Sequence, residues 1–139
     1  MDLQKELAEA LMIYTNLTKS CSLELTEELD AGDTTMRQYR YIHVIATHEQ
    51  LTYSAFAEIL GVSKPSVTEI VKQLMKQKIV EKHQCTRDGR IYYIELTDKG
   101  RQLSNSKCLT NEKIASSIIM KLTETEVRTL IHLLRKIGE

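Results

Sequence analysis

The hydrophobic period changes near Lys78, and this feature constrains the fold most. Upstream, apolar residues recur every three or four positions, which is the spacing of one face of an α-helix. Downstream, two β-type runs cover residues 79–84 and 91–96. The segment between them contains Asp88-Gly89, a strong hairpin signal. We therefore predict a helix that is followed directly by a β-hairpin.

A second helix is predicted immediately before this one. Thr52 or Ser54 caps a short helix that Gly61 closes, because glycine readily adopts the left-handed conformation after a helix end. Ser63 then caps the next helix, with Pro65 in its first turn, where a missing amide proton is harmless. Two helices around a Gly-Val-Ser turn are typical of a helix-turn-helix, and the hairpin that follows is a wing.

Amphipathic helices are predicted on both sides of this region. The chain has only 5 Gly and 1 Pro among 139 residues, too few for the many turns of a β-sandwich. The predicted fold is mainly α with a small β-hairpin wing, in a single domain over residues 1–139. Four helices are predicted in the flanking segments. The first covers residues 3–29, the second runs from Thr34 or Thr35 to about His48, and the third runs from Thr97 to about Leu122. The last begins at a capping box at Thr123 and continues along an apolar stripe.

Several classes of protein are not expected. No apolar run is long enough to span a membrane and no signal peptide is evident, so we expect a cytoplasmic protein without a membrane partner. Three cysteines at unrelated positions, Cys21, Cys85 and Cys108, do not suggest a disulfide framework. The sequence contains no G-x-S-x-G motif, no phosphate-binding glycine loop and no His-Glu-x-x-His motif, so we expect neither an enzyme nor a cofactor.

Charge is distributed unevenly although the formal net charge is zero. Residues 1–33 carry two lysines against eight carboxylates, a net −6. Residues 61–101 carry nine lysines or arginines against five carboxylates, a net +4. A basic middle between acidic flanks indicates one surface that faces a polyanion.

Three segments carry a recognisable pattern: Leu-Thr-Tyr-Ser-Ala-Phe-Ala at 51–57, Gly-Val-Ser-Lys-Pro-Ser-Val-Thr at 61–68, and the wing at 88–100. In the wing, Asp-x-Arg is followed after five residues by Leu-Thr-x-x-Gly. The chain resembles the MarR family of bacterial and archaeal transcriptional regulators, and its wing matches the family motif at every fixed position. The resemblance extends over essentially the whole chain.

The resemblance implies a homodimeric regulator, and usually a repressor, that binds a pseudo-palindromic operator in double-stranded DNA. Residues 1–33 and 102–139 would form dimerisation helices, and residues 34–101 a winged helix-turn-helix DNA-binding lobe. The sequence agrees in part, since the terminal apolar stripes are larger than so small a lobe can cover.

The second helix of the helix-turn-helix would insert its polar face into the major groove. The alternative is that this face is only exposed to solvent. Arg87 and Arg90 lie at the hairpin tip, where a guanidinium can enter the minor groove, and the resemblance assigns Arg90 this role. Asp88 would hold the wing, and Ser54 either binds a phosphate or only caps its helix. The candidate DNA-binding residues are Ser54, Lys64, Ser66, Thr68, Glu69, Lys72, Gln73, Arg87, Asp88 and Arg90.

The resemblance also implies a small-molecule effector, bound where the first, second and fifth helices meet. In this chain that suggests Tyr14, Thr18, Cys21, Tyr39 and His43 as lining residues. Cys21 could instead be the thiol of a redox-sensing repressor, but we favour a small core residue because cysteine commonly packs as a hydrophobe. A winged helix used for protein contacts and a thiol peroxidase are further alternatives.

We expect no metal site. His43 and His48 are five residues apart on a helix, about 140° around its axis, and therefore do not pair. His83 and Cys85 could share one face of a strand, but the sequence shows no third ligand nearby.

Overall fold

The computed structural model describes residues 2–139, which form seven helices and three short strands. They divide into a central unit, Leu29–Ser106, and a terminal unit made of the residues up to Glu28 and from Lys107 onwards. No helix within residues 2–139 is long and apolar enough to span a bilayer. The elements are α1 Leu3–Glu28, α2 Met36–Ala46, β1 Leu51–Thr52, α3 Tyr53–Leu60, α4 Lys64–Lys76, β2 Val80–Gln84, β3 Tyr92–Leu96, α5 Asp98–Ser104, α6 Ser106–Lys121 and α7 Glu124–Gly138.

The helix-turn-helix is α3 and α4, and its capping follows the sequence closely. Thr52 rather than Ser54 caps α3, since its hydroxyl accepts a 3.1 Å hydrogen bond from the backbone N–H of Ala55. Gly61 ends α3 with φ of 68°, the left-handed conformation predicted for it. Ser63 caps α4 as predicted, and Pro65 lies in its first turn. These caps set where α4 begins.

The wing is the antiparallel hairpin of β2 and β3, as predicted. Its register pairs Val80 with Leu96 and Gln84 with Tyr92. β1 adds a third strand on the other side of β3, so that the strand order is β1-β3-β2. β1 was not predictable from the sequence, because two residues are too few to show an alternating pattern. This strand joins the wing to the start of α3.

The central unit has a closed hydrophobic core. Tyr41 packs edge-to-face on Phe56, with ring centroids 6.2 Å apart and an interplanar angle of 89°. Helices and sheet both contribute, so burial of this core holds the wing and the helix-turn-helix in one rigid lobe. The largest fully buried side chains of the lobe are Phe56, Ile42, Leu74, Ile79, Ile94, Leu103, Val67 and Val71.

The Leu-Thr-x-x-Gly segment that follows the wing has a structural explanation. Thr97 caps α5 by accepting a hydrogen bond from the backbone N–H of Gly100, and it donates one of 2.6 Å to the carbonyl oxygen of Lys78. A Cβ on Gly100 would clash with the carbonyl oxygen of Ile79. The motif therefore packs α5 against the chain that leads into β2.

The helix predicted from Thr97 to about Leu122 is interrupted. α5 ends at Ser104, Asn105 forms a turn, and α6 begins at Ser106. The hydroxyl of Ser104 donates a 2.7 Å hydrogen bond to the carbonyl oxygen of Arg101, a local bond of the kind that competes with helix continuation. The prediction of one continuous helix was wrong because apolar spacing alone does not reveal such a break.

The terminal unit leaves much apolar surface uncovered. α7 has a capping box in which Thr123 and Glu126 bond each other's backbone, but the helix buries none of its residues. Lys113 of α6 reaches Glu28 of α1 at 2.8 Å. Cys21 and Leu25 of α1 are buried. The exposed large apolar residues of α1 and α7 include Leu3, Leu7, Leu11, Met12, Ile13, Ile131, Leu133, Leu134 and Ile137.

Candidate nucleic-acid interface

One face of α4 is available to a nucleic acid. Val67, Val71 and Leu74 are buried, as the sequence pattern predicted, and they fix the rotation of the helix. Lys64 and Lys72 form no ion pair among the described residues, so their charges are not neutralised within the chain. The residues predicted to face DNA from α4 are all exposed: Lys64, Ser66, Thr68, Glu69, Lys72 and Gln73.

The hydroxyls at the start of α4 already have partners. The Ser66 hydroxyl lies 2.8 Å from that of Ser63. The hydroxyl of Thr68 donates to the carbonyl oxygen of Lys64 at 3.1 Å. Because the hydroxyl proton of Thr68 is donated to this carbonyl, the Thr68 oxygen can still accept a hydrogen bond, for example from the amino group of cytosine or adenine.

A groove of about 520 Å³ lies between the helix-turn-helix and the wing. It brings together three of the predicted DNA-binding residues, Ser54 from α3, Thr68 from α4 and Arg90 from the wing. Because Thr52 supplies the cap of α3, the Ser54 hydroxyl is not needed for that purpose. The remaining lining residues are Thr52, Tyr53, Lys82, Ile91 and Tyr92.

Lys82 and Tyr92 are residues of this groove that the sequence analysis missed. The ammonium group of Lys82 lies 5.0 Å from the centroid of the Tyr92 ring, a cation–π contact. Lys82 could have been identified from the alternation of side chains along β2, which places Lys82 on one face of the sheet and Glu81 and His83 on the other. The groove therefore has a second cation beside Arg90.

The tip of the wing holds Arg90 in a defined position. Its backbone N–H and its Nε each donate to Oδ1 of Asp88, at 3.0 and 3.1 Å, and its Nη2 donates to Oδ2 at 3.2 Å. The Arg90 side chain holds the pKa of Asp88 below its usual value, with the backbone bond acting in the same direction. The Arg90 side chain is nevertheless 91% exposed. Asp88 thus makes the wing-holding contact expected of it, and the guanidinium projects into solvent, as Arg87 also does.

The predicted effector-pocket residues belong to both units. In the terminal unit, Tyr14 is exposed, Cys21 is buried, and the hydroxyl of Thr18 donates to the carbonyl oxygen of Tyr14 at 3.0 Å. In the central unit, Tyr39 is half-buried, with its pKa raised by burial, and His43 is exposed. The pocket stays a prediction.

Comparison with known proteins identifies similar chains. A family model described as MarR family matches residues 33–91. The uncharacterized HTH-type transcriptional regulator YwaE of Bacillus subtilis is 27% identical over 136 residues, which cover 94% of this chain and 79% of YwaE. Transcriptional regulator AdcR of Streptococcus pneumoniae is 30% identical over 83 residues, covering 55% of this chain and 57% of AdcR.

Solved structures show the same fold. A mutant of MepR from S. aureus, bound to an oligodeoxyribonucleotide, superposes with a TM-score of 0.62 at 21% identity, covering 99% of this chain and 96% of MepR. A mutant of MarR from E. coli, complexed with operator DNA, gives a TM-score of 0.53 at 23% identity over 99% of each chain. Winged helix, wing motif and sequence matches agree: residues 33–91 match the MarR family of transcriptional regulators, and the chain as a whole is similar to proteins of this kind.

Proposed function

We propose that this chain is a homodimeric repressor that binds a pseudo-palindromic operator in double-stranded DNA and is released by a small-molecule effector. The convergence of α3, α4 and the wing on one groove carries the proposal. Ser54, Thr68, Lys82 and Arg90 line it together, so one surface offers hydroxyls and cations to a phosphate backbone. The MepR and MarR structures that share the fold were solved with DNA bound.

Base reading is assigned to α4. Its exposed face carries Glu69 and Gln73, which can address base amino groups, and Lys72, which suits guanine or a phosphate. Arg90 would enter the adjacent minor groove, where the narrow, electronegative floor of A·T-rich DNA attracts a guanidinium. Asp88 orients that guanidinium before binding, which reduces the entropy lost on contact.

The dimer is assigned to the terminal helices. α7 buries none of its residues, and Ile137 is 80% exposed. A second copy of the chain would cover such a stripe through a two-fold interface. Two lobes related by that axis would read two half-sites about one DNA turn apart, 10 to 10.5 base pairs, which explains why the operator would be pseudo-palindromic.

Effector control follows if the ligand prefers a dimer whose lobes are misspaced for DNA, because only a difference in affinity shifts a population. The predicted lining residues of the effector pocket are Tyr14, Thr18, Cys21, Tyr39 and His43. The protein would act on DNA in the cytoplasm, and the proposal assigns it no catalytic step and no cofactor.

The alternatives are less well supported. A redox sensor that uses Cys21 needs an accessible thiolate, whereas Cys21 is buried. A module for protein contacts does not require exposed cations beside a hydroxyl-lined groove, which suit a polyanion.

The proposal is tested by incubating the purified protein with sheared genomic DNA at moderate salt and sequencing the retained fragments. We expect enrichment of inverted repeats by the wild type and loss of that enrichment in the Arg87→Ala, Arg90→Ala double variant. Arg128→Ala is the matched control, since Arg128 is an exposed arginine on α7, paired with Glu124. Retention no better than for random DNA would overturn the proposal.

A further inference from the structure

The second face of the wing sheet carries a cluster that DNA binding does not use. Nε2 of His83 lies 3.2 Å from a carboxylate oxygen of Glu81 and 3.3 Å from one of Glu95. One ligand atom from each of the three residues lies within 4.8 Å of the other two. This cluster, Glu81, His83 and Glu95, is hereafter the wing triad.

Strand geometry holds the wing triad together. Glu81 and His83 are two residues apart on β2 and therefore point to the same side of the sheet. Glu95 is the partner of Glu81 across the β2–β3 ladder. Like charges directly opposite each other are destabilising in a sheet, so this arrangement favours a cation between the two carboxylates.

A single imidazole cannot compensate the negative charges of both carboxylates. Nε2 carries at most one proton, yet it faces two carboxylates, and even the protonated ring leaves one negative charge uncompensated. A divalent cation bound by the neutral ring would balance both carboxylates. Zinc bonds of about 2.0–2.2 Å in a tetrahedron place neighbouring ligand atoms roughly 3.4 Å apart. The two distances from Nε2 are close to that value.

We propose that the wing triad binds a divalent transition-metal ion of the Zn²⁺ type through one imidazole nitrogen and two carboxylate oxygens. Imidazole selects zinc-like ions over Mg²⁺ and Ca²⁺, which prefer all-oxygen sites. The three side chains are about half exposed, so water completes the coordination.

No metal site was expected from the sequence, because His83 and Cys85 lacked a third ligand. The donors that complete the site with His83 are Glu81, two residues earlier on β2, and Glu95 of β3, whose position only the strand register reveals. Cys85 is not part of the wing triad: its thiol accepts a 3.7 Å hydrogen bond from the Tyr93 hydroxyl instead.

The metal would join β2 to β3 without entering the DNA groove. Lys82, which lines that groove, alternates with Glu81 and His83 along β2 and so points to the opposite face. The site goes beyond the proposed function and does not depend on it, because metal binding is measured without DNA.

The test is calorimetric titration of ZnCl₂ into the full-length protein after dialysis against a chelator. We expect a micromolar site in the wild type that His83→Ala and Glu95→Gln each weaken by about tenfold or more. Cys85→Ser and His132→Ala, which remove candidate donors outside the wing triad, should change the Kd by less than about twofold. Circular dichroism of each variant checks that it is folded.

Three outcomes would overturn the proposal. They are no zinc binding by the wild type, equal affinity in His83→Ala and the wild type, and loss of the site in Cys85→Ser. Failure of the protein to bind DNA in the fragment experiment would not affect this result, so the two proposals fail separately.

Discussion

The central and terminal units use the same kind of amphipathic helix with opposite outcomes. In the central unit, the apolar stripe of α4 is covered, and Val67 and Leu74 are completely buried. In the terminal unit, α7 has an equally regular stripe, yet Leu134 is 58% exposed. Hydrophobic periodicity therefore tells which face of a helix is apolar but not what covers it.

The difference assigns different tasks to the two units. Burial of the central core makes a rigid lobe that positions α4 and the wing, while the proposed function assigns the uncovered terminal stripes to contact with a second chain. If this is correct, changes in the central core reduce folding stability, and changes in the terminal stripes reduce association.

The largest effect is expected from Phe56→Ala in the central core. Phe56 has no exposed surface and packs on Tyr41, so its removal leaves a cavity. The free energy of unfolding should fall by about 3–5 kcal/mol. Urea denaturation followed by circular dichroism measures this change, and a loss below about 1 kcal/mol would show that the core is not closed.

A charge in the terminal stripe should separate the subunits. Leu134→Asp removes an aliphatic contact worth about 1.5–3 kcal/mol and places an unpaired carboxylate in the interface, so the dimer Kd should rise by about 100-fold or more. Sedimentation velocity over a concentration series measures the Kd.

The matched control for this variant is Thr129→Asp, which adds the same charge about 140° around the helix from Leu134. We expect this variant to remain dimeric. Equal dissociation by both variants would show that the charge, and not the stripe, was responsible.

A smaller effect is expected at the wing tip. Arg90→Ala should weaken operator binding by about 1–3 kcal/mol, because it removes one cation from the interface. The slope of log K against log salt concentration should become shallower by about one, since one fewer counterion is released. Fluorescence anisotropy at several salt concentrations measures both quantities. The dimer and the fold should be unchanged, and unaltered affinity at matched salt would remove Arg90 from the interface.

The smallest effect is expected at the turn between α3 and α4. Gly61 has φ of 68°, and apart from its neighbours in the chain no atom lies within 4 Å of where a Cβ would be, so Gly61→Ala meets only backbone strain. We expect a loss of about 1 kcal/mol in unfolding free energy. A stabilised variant would mean that the left-handed turn is not retained in solution.

Features encoded by adjacent residues were predictable from the sequence. The caps at Ser63 and Thr123, the left-handed Gly61 and the two wing strands follow from local chemistry and were confirmed. The exposed face of α4 also followed, because the buried stripe sets the rotation of the helix.

Features that depend on distant residues were not predictable. β1 exists because Leu51 pairs with Ile94, and Lys82 joins the groove because β2 folds back beside α3 and α4. The wing triad likewise needed the register of two strands. One local feature was also missed: the helix is interrupted at Asn105, where short-range hydrogen bonds, which apolar spacing does not show, form the turn.

The proposed arrangement is a dimer, formed by the terminal helices, that presents two central lobes to one operator. Its most direct test is the stoichiometry of the protein on a single duplex carrying the selected inverted repeat, measured by sedimentation equilibrium. We expect two chains for each duplex with the wild type, and a large loss of the complex with Leu134→Asp although that variant remains folded. One chain on each duplex, or full binding by a monomeric Leu134→Asp variant, would contradict it.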